Sequence, residues 1–180
     1  MACPEFTVDE RNREFMNELF LYLIKGSEKL DSNKGLLLYG PVGTGKSTIL
    51  KIIQLYDRYS NGKDETGYYL SGGFPIESAT FISNQYTRKG VDGISKYDGL
   101  NGIALGIDEV GKEPRVKYFG SEMDIIQYII QSRYDNRRIC KTFITTNMQP
   151  EEFEPKYGEY IADRINELFN VIEIKGKSRR

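Results

Sequence analysis

Eight residues constrain this chain more than any others: Gly40-Pro-Val-Gly-Thr-Gly-Lys-Ser47, set directly behind the apolar run Leu36-Leu37-Leu38-Tyr39. The spacing GxxxxGK[ST] between a strand and a helix predicts a loop that cradles phosphate. Gly40, Gly43 and Gly45 allow backbone angles that side chains forbid, so successive N–H groups can aim at phosphate oxygens. The helix that follows adds its positive N-terminal end. Lys46 is spaced to reach the β- and γ-phosphates of a nucleoside triphosphate, and Ser47 to offer its hydroxyl to Mg2+. Pro41, Val42, Thr44 and Thr48 complete the expected nucleotide-binding set.

Around this loop the sequence alternates. A capping box, Thr7 with Glu10, opens a predicted amphipathic helix over 8–25 on the stripe Phe15, Leu19, Leu23. A buried strand at 36–39 and a helix at 46–58 flank the loop. A strand over 73–77, a helix over 79–89 and a second buried strand over 103–107 come next. A charged loop over 111–120 leads to a helix that Ser121 and Asp124 can cap, running to 136. Strand 141–146, helix 160–168 and strand 170–175 close the pattern. Strands alternating with helices predict a mostly parallel sheet covered on both faces, with its ligand at the carboxyl ends of the strands.

Composition narrows the chemistry. The 180 residues suit one domain. With a net charge of −1, no global positive field advertises nucleic acid. No histidine is present, which excludes Ser-His triads, His-ligated zinc and His general bases together. Cys3 and Cys140 form no CxxC pair and read as reduced thiols of a cytoplasmic protein. No apolar stretch approaches the roughly 20 residues of a membrane span, and the first residues do not read as a signal peptide.

Three further constellations carry chemistry. The strand Ile103-Ala-Leu-Gly-Ile ends in Asp108-Glu109, which puts two carboxylates at its carboxyl edge. Asp108 can hold the Mg2+ shell through water, and Glu109 can orient and deprotonate an attacking water; the plain alternative is an acidic loop opening after a strand. Thr145-Thr146-Asn147 ends the next strong strand, where Asn147 can hydrogen-bond the γ-phosphate or that water, or simply make a turn. On the residues alone, Arg164 reads as a surface pair with Asp163 or Glu167, although an arginine presented to a triphosphate can stabilise the charge of phosphoryl transfer. Arg88-Lys89, Lys96-Tyr97, Arg115 and Lys117-Tyr118 set basic groups beside aromatics, as single-strand binding uses, or form solvated loops.

In this order the elements resemble the AAA+ ATPases, and more closely the compact bacterial ATPases related to the DnaC-like helicase loaders and the IstB-like transposition ATPases. GPVGTGKS resembles that group's Walker A motif, GIDEVG its Walker B, FITTN its sensor-1 strand, YGEYIADRI its arginine-finger helix and FNVIEIKGKSRR its closing segment. The resemblance runs from about Phe6 to Arg180. It implies an α/β P-loop NTPase with a five-stranded, mostly parallel sheet of order 5-1-4-3-2 between helices and no separate helical lid. Residues 1–34 would be a helix and linker packed on an AAA+ core over 35–180. It implies ATP and Mg2+ as ligands, with Lys46 and Ser47 on phosphate and metal, Asp108 on the metal side, Glu109 as catalytic base and Asn147 as sensor. Arg164 becomes a finger inserted into a neighbouring subunit's site, which makes hydrolysis depend on a homo-oligomeric ring or spiral. The partners it implies are single-stranded DNA and a replicative helicase, or in the IstB-like case a transposase. Two departures stand out: Tyr160 occupies a place where many relatives carry arginine, and Arg179 and Arg180 either substitute for a lid sensor or form a solvated basic tail. From other classes come a small P-loop kinase of nucleotides or metabolites and a scaffold that binds ATP without hydrolysing it.

Overall fold

Leu36, Leu37 and Leu38 are each at most 1% exposed, yet consecutive residues serve different cores. Leu36 and Leu38 join one apolar cluster and Leu37 the other, because successive side chains of a strand point to opposite faces. That alternation is what a sheet covered on both sides requires.

The computed structural model describes residues 6–60, 73–118 and 121–176, except for the side chains of 117, 118 and 121–123. Five strands form the sheet: β1 (Gly35–Tyr39), β2 (Ile76–Ser78), β3 (Leu105–Val110), β6 (Thr142–Thr146) and β7 (Phe169–Glu173). Their order is β2-β3-β6-β1-β7, and every neighbouring pair is parallel. Ranked along the chain, this is the 5-1-4-3-2 arrangement that the resemblance implies.

Among the described residues six α-helices cover the sheet. On one face lie α1 (Arg13–Leu23) and α2 (Lys46–Ser60), which bury Leu19, Tyr22, Ile49, Leu50 and Ile53 against Leu36, Leu38 and Phe143. On the other lie α3 (Ala79–Lys89), α4 (Ile125–Asp135), α5 (Phe153–Tyr157) and α6 (Glu159–Leu168), packed with Leu37, Ile107 and Ile144. Among the described residues, no helix is long and apolar enough to cross a membrane.

Several boundaries differ from the sequence expectation, each for a local reason. Helix α1 starts at Arg13 because Asp9 and Asn12 bond each other's backbone first, the Asp9 N–H donating to Asn12 Oδ1 at 2.8 Å. The charged loop contains an antiparallel hairpin, β4 (Val116–Tyr118) with β5 (Ser121–Met123), so Ser121 is a strand residue and Asp124 alone caps α4, accepting from Gln127 N at 3.1 Å. The second buried strand starts later than predicted and runs through the carboxylate pair to Val110, leaving Ile103 51% exposed outside it.

Candidate functional site

The carboxyl ends of β1, β3 and β6 converge with the amino end of α2. Strand β1 stops at Tyr39, and the loop of residues 40–45 returns the chain into α2 at Lys46. Gly45 takes φ +95°, and a Cβ built there would meet nothing within 4 Å apart from its chain neighbours. The loop is therefore open on the side that the Gly45 Cα faces.

Lys46 is buried, and its ammonium is fully occupied. Nζ donates to Gly40 O and Pro41 O, both at 2.7 Å, and to Asn147 Oδ1 at 2.9 Å. Burial lowers its pKa, with Asp108 pulling the other way. The contact with Asn147 ties the phosphate loop to the end of β6. Thr44 steadies the same loop through a 3.0 Å bond to Pro41 O.

Asp108 and Glu109 sit in a β-bulge. Ile107 pairs with Ile144 and Val110 with Thr146, so two residues of β3 oppose Thr145 alone. The bulge puts Glu109 at φ +59°, a left-handed conformation unusual for a side-chain-bearing residue. Its N–H donates to Thr145 Oγ1 at 3.0 Å, and Thr145 donates its hydroxyl proton to Asp108. Ser47 donates to the same Asp108 oxygen at 2.9 Å. Glu109 turns the other way, exposed, with Lys112 Nζ 2.6 Å from its Oε1. Adjacent carboxylates thus serve opposite surroundings, one inside the loop network and one facing solvent.

These oxygens suit Mg2+. Ser47 Oγ and Asp108 Oδ1 form a hard donor pair at the end of the phosphate loop. Among the described residues no three Cys, Asp or Glu side chains converge as ligands, so a cation here would take its remaining ligands from phosphate and water.

A cavity of about 390 Å³ opens beside Thr44 and Ile49, walled by Phe6, Phe15, Ile172 and Ile174 with Arg11 at its edge. Motif reading missed it because its walls come from three distant stretches of sequence and carry no shared pattern.

Arg164 does not join this cluster. Its guanidinium stacks on the rings of Tyr134, 4.6 Å from the centroid, and Tyr160, and Nη1 donates to Tyr160 O at 3.0 Å. It does not form the surface pair with Asp163 or Glu167; Glu167 accepts the Tyr134 hydroxyl at 2.7 Å instead. Among the candidate DNA contacts, Arg88, Lys89 and Arg115 are exposed, but Tyr97 is only 1% exposed and offers no free ring face. The side chains of Lys117 and Tyr118, and all of Arg179 and Arg180, lie outside the described residues.

No family model matches the sequence, and no curated protein matches it either. The solved structures give a clear fold. The chain is similar to the DnaC helicase loader, with a TM-score of 0.68 and 19% identity over 97% of this chain and 96% of that one. It is similar to DnaI, with a TM-score of 0.64 and 21% identity over 99% of this chain and 89% of that one. It is similar to the replication initiator DnaA bound to AMPPCP and single-stranded DNA, with a TM-score of 0.62 and 18% identity over 96% of this chain and 49% of that one. The chain spans nearly all of the DnaC and DnaI structures and about half of the DnaA one. The fold is that of the AAA+ P-loop NTPase domains.

Proposed function

We propose that this chain binds and hydrolyses ATP, and that its copies assemble on DNA or on a replication partner in the manner of a helicase loader. One observation carries the hydrolytic part. The bulge in β3 separates Asp108, bonded to Ser47, from Glu109, turned out to solvent beside the mouth of the phosphate loop. A protein that only holds nucleotide does not need a second carboxylate in a strained backbone.

In this reading each residue takes one role. The loop of residues 40–48 wraps the triphosphate, and Lys46 exchanges its bonds to Gly40 and Pro41 for phosphate oxygens. Held by Ser47 and Asp108, Mg2+ would neutralise charge on the phosphates. Glu109 accepts a proton from the attacking water, and Asn147, already on Lys46, orients the water or the γ-phosphate. The cavity beside Thr44 has the size and apolar walls to receive the nucleoside. Arg164 serves the site of a neighbouring copy. The likeness to a helicase loader, and to an initiator solved with AMPPCP and single-stranded DNA, supports the assembly and the DNA part of the reading.

The test is phosphate release from ATP against protein concentration, with and without single-stranded DNA. Specific activity that climbs with concentration and rises with DNA supports the whole reading. Activity that is flat in concentration removes Arg164 as a shared finger, and no release at any concentration removes hydrolysis.

A further inference from the structure

The hydrolytic reading makes no use of Glu113, yet this residue of a charged loop is only 7% exposed. Its two oxygens hold two parts of the fold. Oε2 accepts the Gly111 N–H at 2.8 Å, inside the turn that follows Glu109. Oε1 accepts the hydroxyl of Tyr157 on α5 and lies 3.4 Å from Lys156 Nζ. Lys156 Nζ also donates to Gly111 O at 2.8 Å. Gly111 is therefore gripped at both its N–H and its carbonyl by groups anchored on α5.

That grip has little freedom. Gly111 takes φ +102°, and a Cβ there would lie 2.3 Å from Met148 Sδ, one residue beyond Asn147. The turn closes back on the base, Lys112 N donating to Glu109 O at 3.3 Å. On the far side, Phe153 and Tyr157 are buried, and α5 passes through Gly158 directly into α6, which carries Arg164.

We propose that Glu113 is a positioning residue for hydrolysis: it fixes the turn that aims the Glu109 carboxylate and fastens that turn to the helices leading to Arg164. This inference rests on the reading of Glu109 as the base. Glu109 sits in a left-handed bulge that only its surroundings hold. Releasing Gly111 lets that backbone relax, and a displacement of about 1 Å at a reacting group costs up to about 100-fold in rate. Lys46 and Ser47 stand on α2 and do not touch this network, so the loss falls on kcat rather than on ATP affinity.

The experiment compares E113A, E113Q and Y157F in the full chain, reading kcat, KM and the affinity for a fluorescent ATP analogue. E113A should lower kcat about 10- to 100-fold with affinity within about twofold of wild type. E113Q should recover most of that loss, because its amide oxygen accepts from Gly111 while its N–H meets the Tyr157 oxygen. Y157F keeps the Gly111 bond and the Lys156 contacts, loses only the hydroxyl tie to α5 and should fall between the two. E113A at wild-type kcat overturns the proposal, as does a loss of affinity in step with the loss of rate. Where E113A does not fold, Y157F and E113Q decide: both at wild-type kcat overturn it. A wild-type chain that binds ATP and releases no phosphate, or an E109A variant that turns over normally, defeats the underlying reading instead.

Discussion

The backbone N–H of Glu109 donates a hydrogen bond to the hydroxyl of Thr145, 3.0 Å away, and that hydroxyl in turn donates one to Asp108. One side chain of β6 thus sets both carboxylates of β3. Thr145 is 1% exposed, so no water can take its place. Thr145→Val keeps the shape and removes the link, which leaves a backbone N–H without its acceptor. The variant should fold, bind ATP and turn over about tenfold more slowly, since both carboxylates lose their reference point. Steady-state phosphate release beside far-UV circular dichroism checks this.

Glu109 combines a proposed chemical role with a costly backbone. Glu109→Ala should keep ATP binding and lower turnover by about 10²- to 10⁴-fold, the usual contribution of a general base. Glu109→Gly should be as inactive but more stable than Glu109→Ala by about 1 kcal/mol, because glycine adopts φ +59° without a Cβ penalty. Urea unfolding of the two variants measures the difference. Equal stabilities would mean that the bulge carries no strain.

Arg164 offers a test by mixing. Arg164→Ala alone should hydrolyse poorly while binding ATP normally. Combined with Glu109→Ala subunits, it should regain activity, because the second variant supplies the arginine to sites whose Glu109 is intact. Two inactive proteins that stay inactive when mixed would confine Arg164 to its own chain.

Arg133 is a structural residue of unusual kind. It is 1% exposed, and among the described residues no carboxylate lies within ion-pair distance of it, although Asp98 favours its charged form. Nε donates to Thr142 Oγ1 at 2.7 Å, and the two terminal nitrogens donate to the carbonyls of Tyr97, Ile103 and Lys141. Its fork joins α4 to the amino ends of β3 and β6. Arg133→Ala strands these acceptors and should cost about 3 kcal/mol or more in urea unfolding. Arg133→Lys, with one point of attachment, should recover only part of that loss.

Alkaline conditions should expose the Tyr157 environment. Burial, then the adjacent Glu113 carboxylate, push this phenol above its ordinary value of about 10. The folded state thus holds the proton more tightly than the unfolded one. That contribution is complete below about pH 10, where the unfolded phenol is still protonated, and declines above it as the unfolded chain ionises. Thermal midpoints followed from pH 9 to 11 should fall for the wild type, and less steeply for Tyr157→Phe. Parallel curves would place Tyr157 in an ordinary environment.

Much of this fold was legible because buried parallel strands and amphipathic helices write their periods into the chain. Leu36 to Tyr39, the helix over 79–89 and the strand ending at Thr146 stand close to where their patterns put them. What was not legible depends on contacts between distant stretches. Nothing local in Ile107-Asp108-Glu109-Val110 announces a bulge; it exists because Thr145 accepts one N–H and the ladder resumes at Thr146. Glu113 reads as one more charge in Gly111-Lys-Glu-Pro-Arg115, and only Tyr157 and Lys156, more than forty residues on, explain its burial. Arg133 and Arg164 likewise look like surface residues of helices until their partners are known. The candidate site residues were named by spacing, whereas their orientation is a property of tertiary hydrogen bonds.

The stacking of Arg164 on Tyr134 and Tyr160 has a consequence for how copies of this chain would meet. Under the proposed role, each subunit arrives with its arginine sheathed by its own rings. Docking must unsheathe it, at about 1 kcal/mol for the lost ring contacts, which weakens association roughly fivefold. Premature self-association is penalised by that amount, and a neighbour presenting phosphate charge recovers it. Under that role the pair of tyrosines would act as a concentration threshold, tuning the point at which an isolated chain gives way to an assembly.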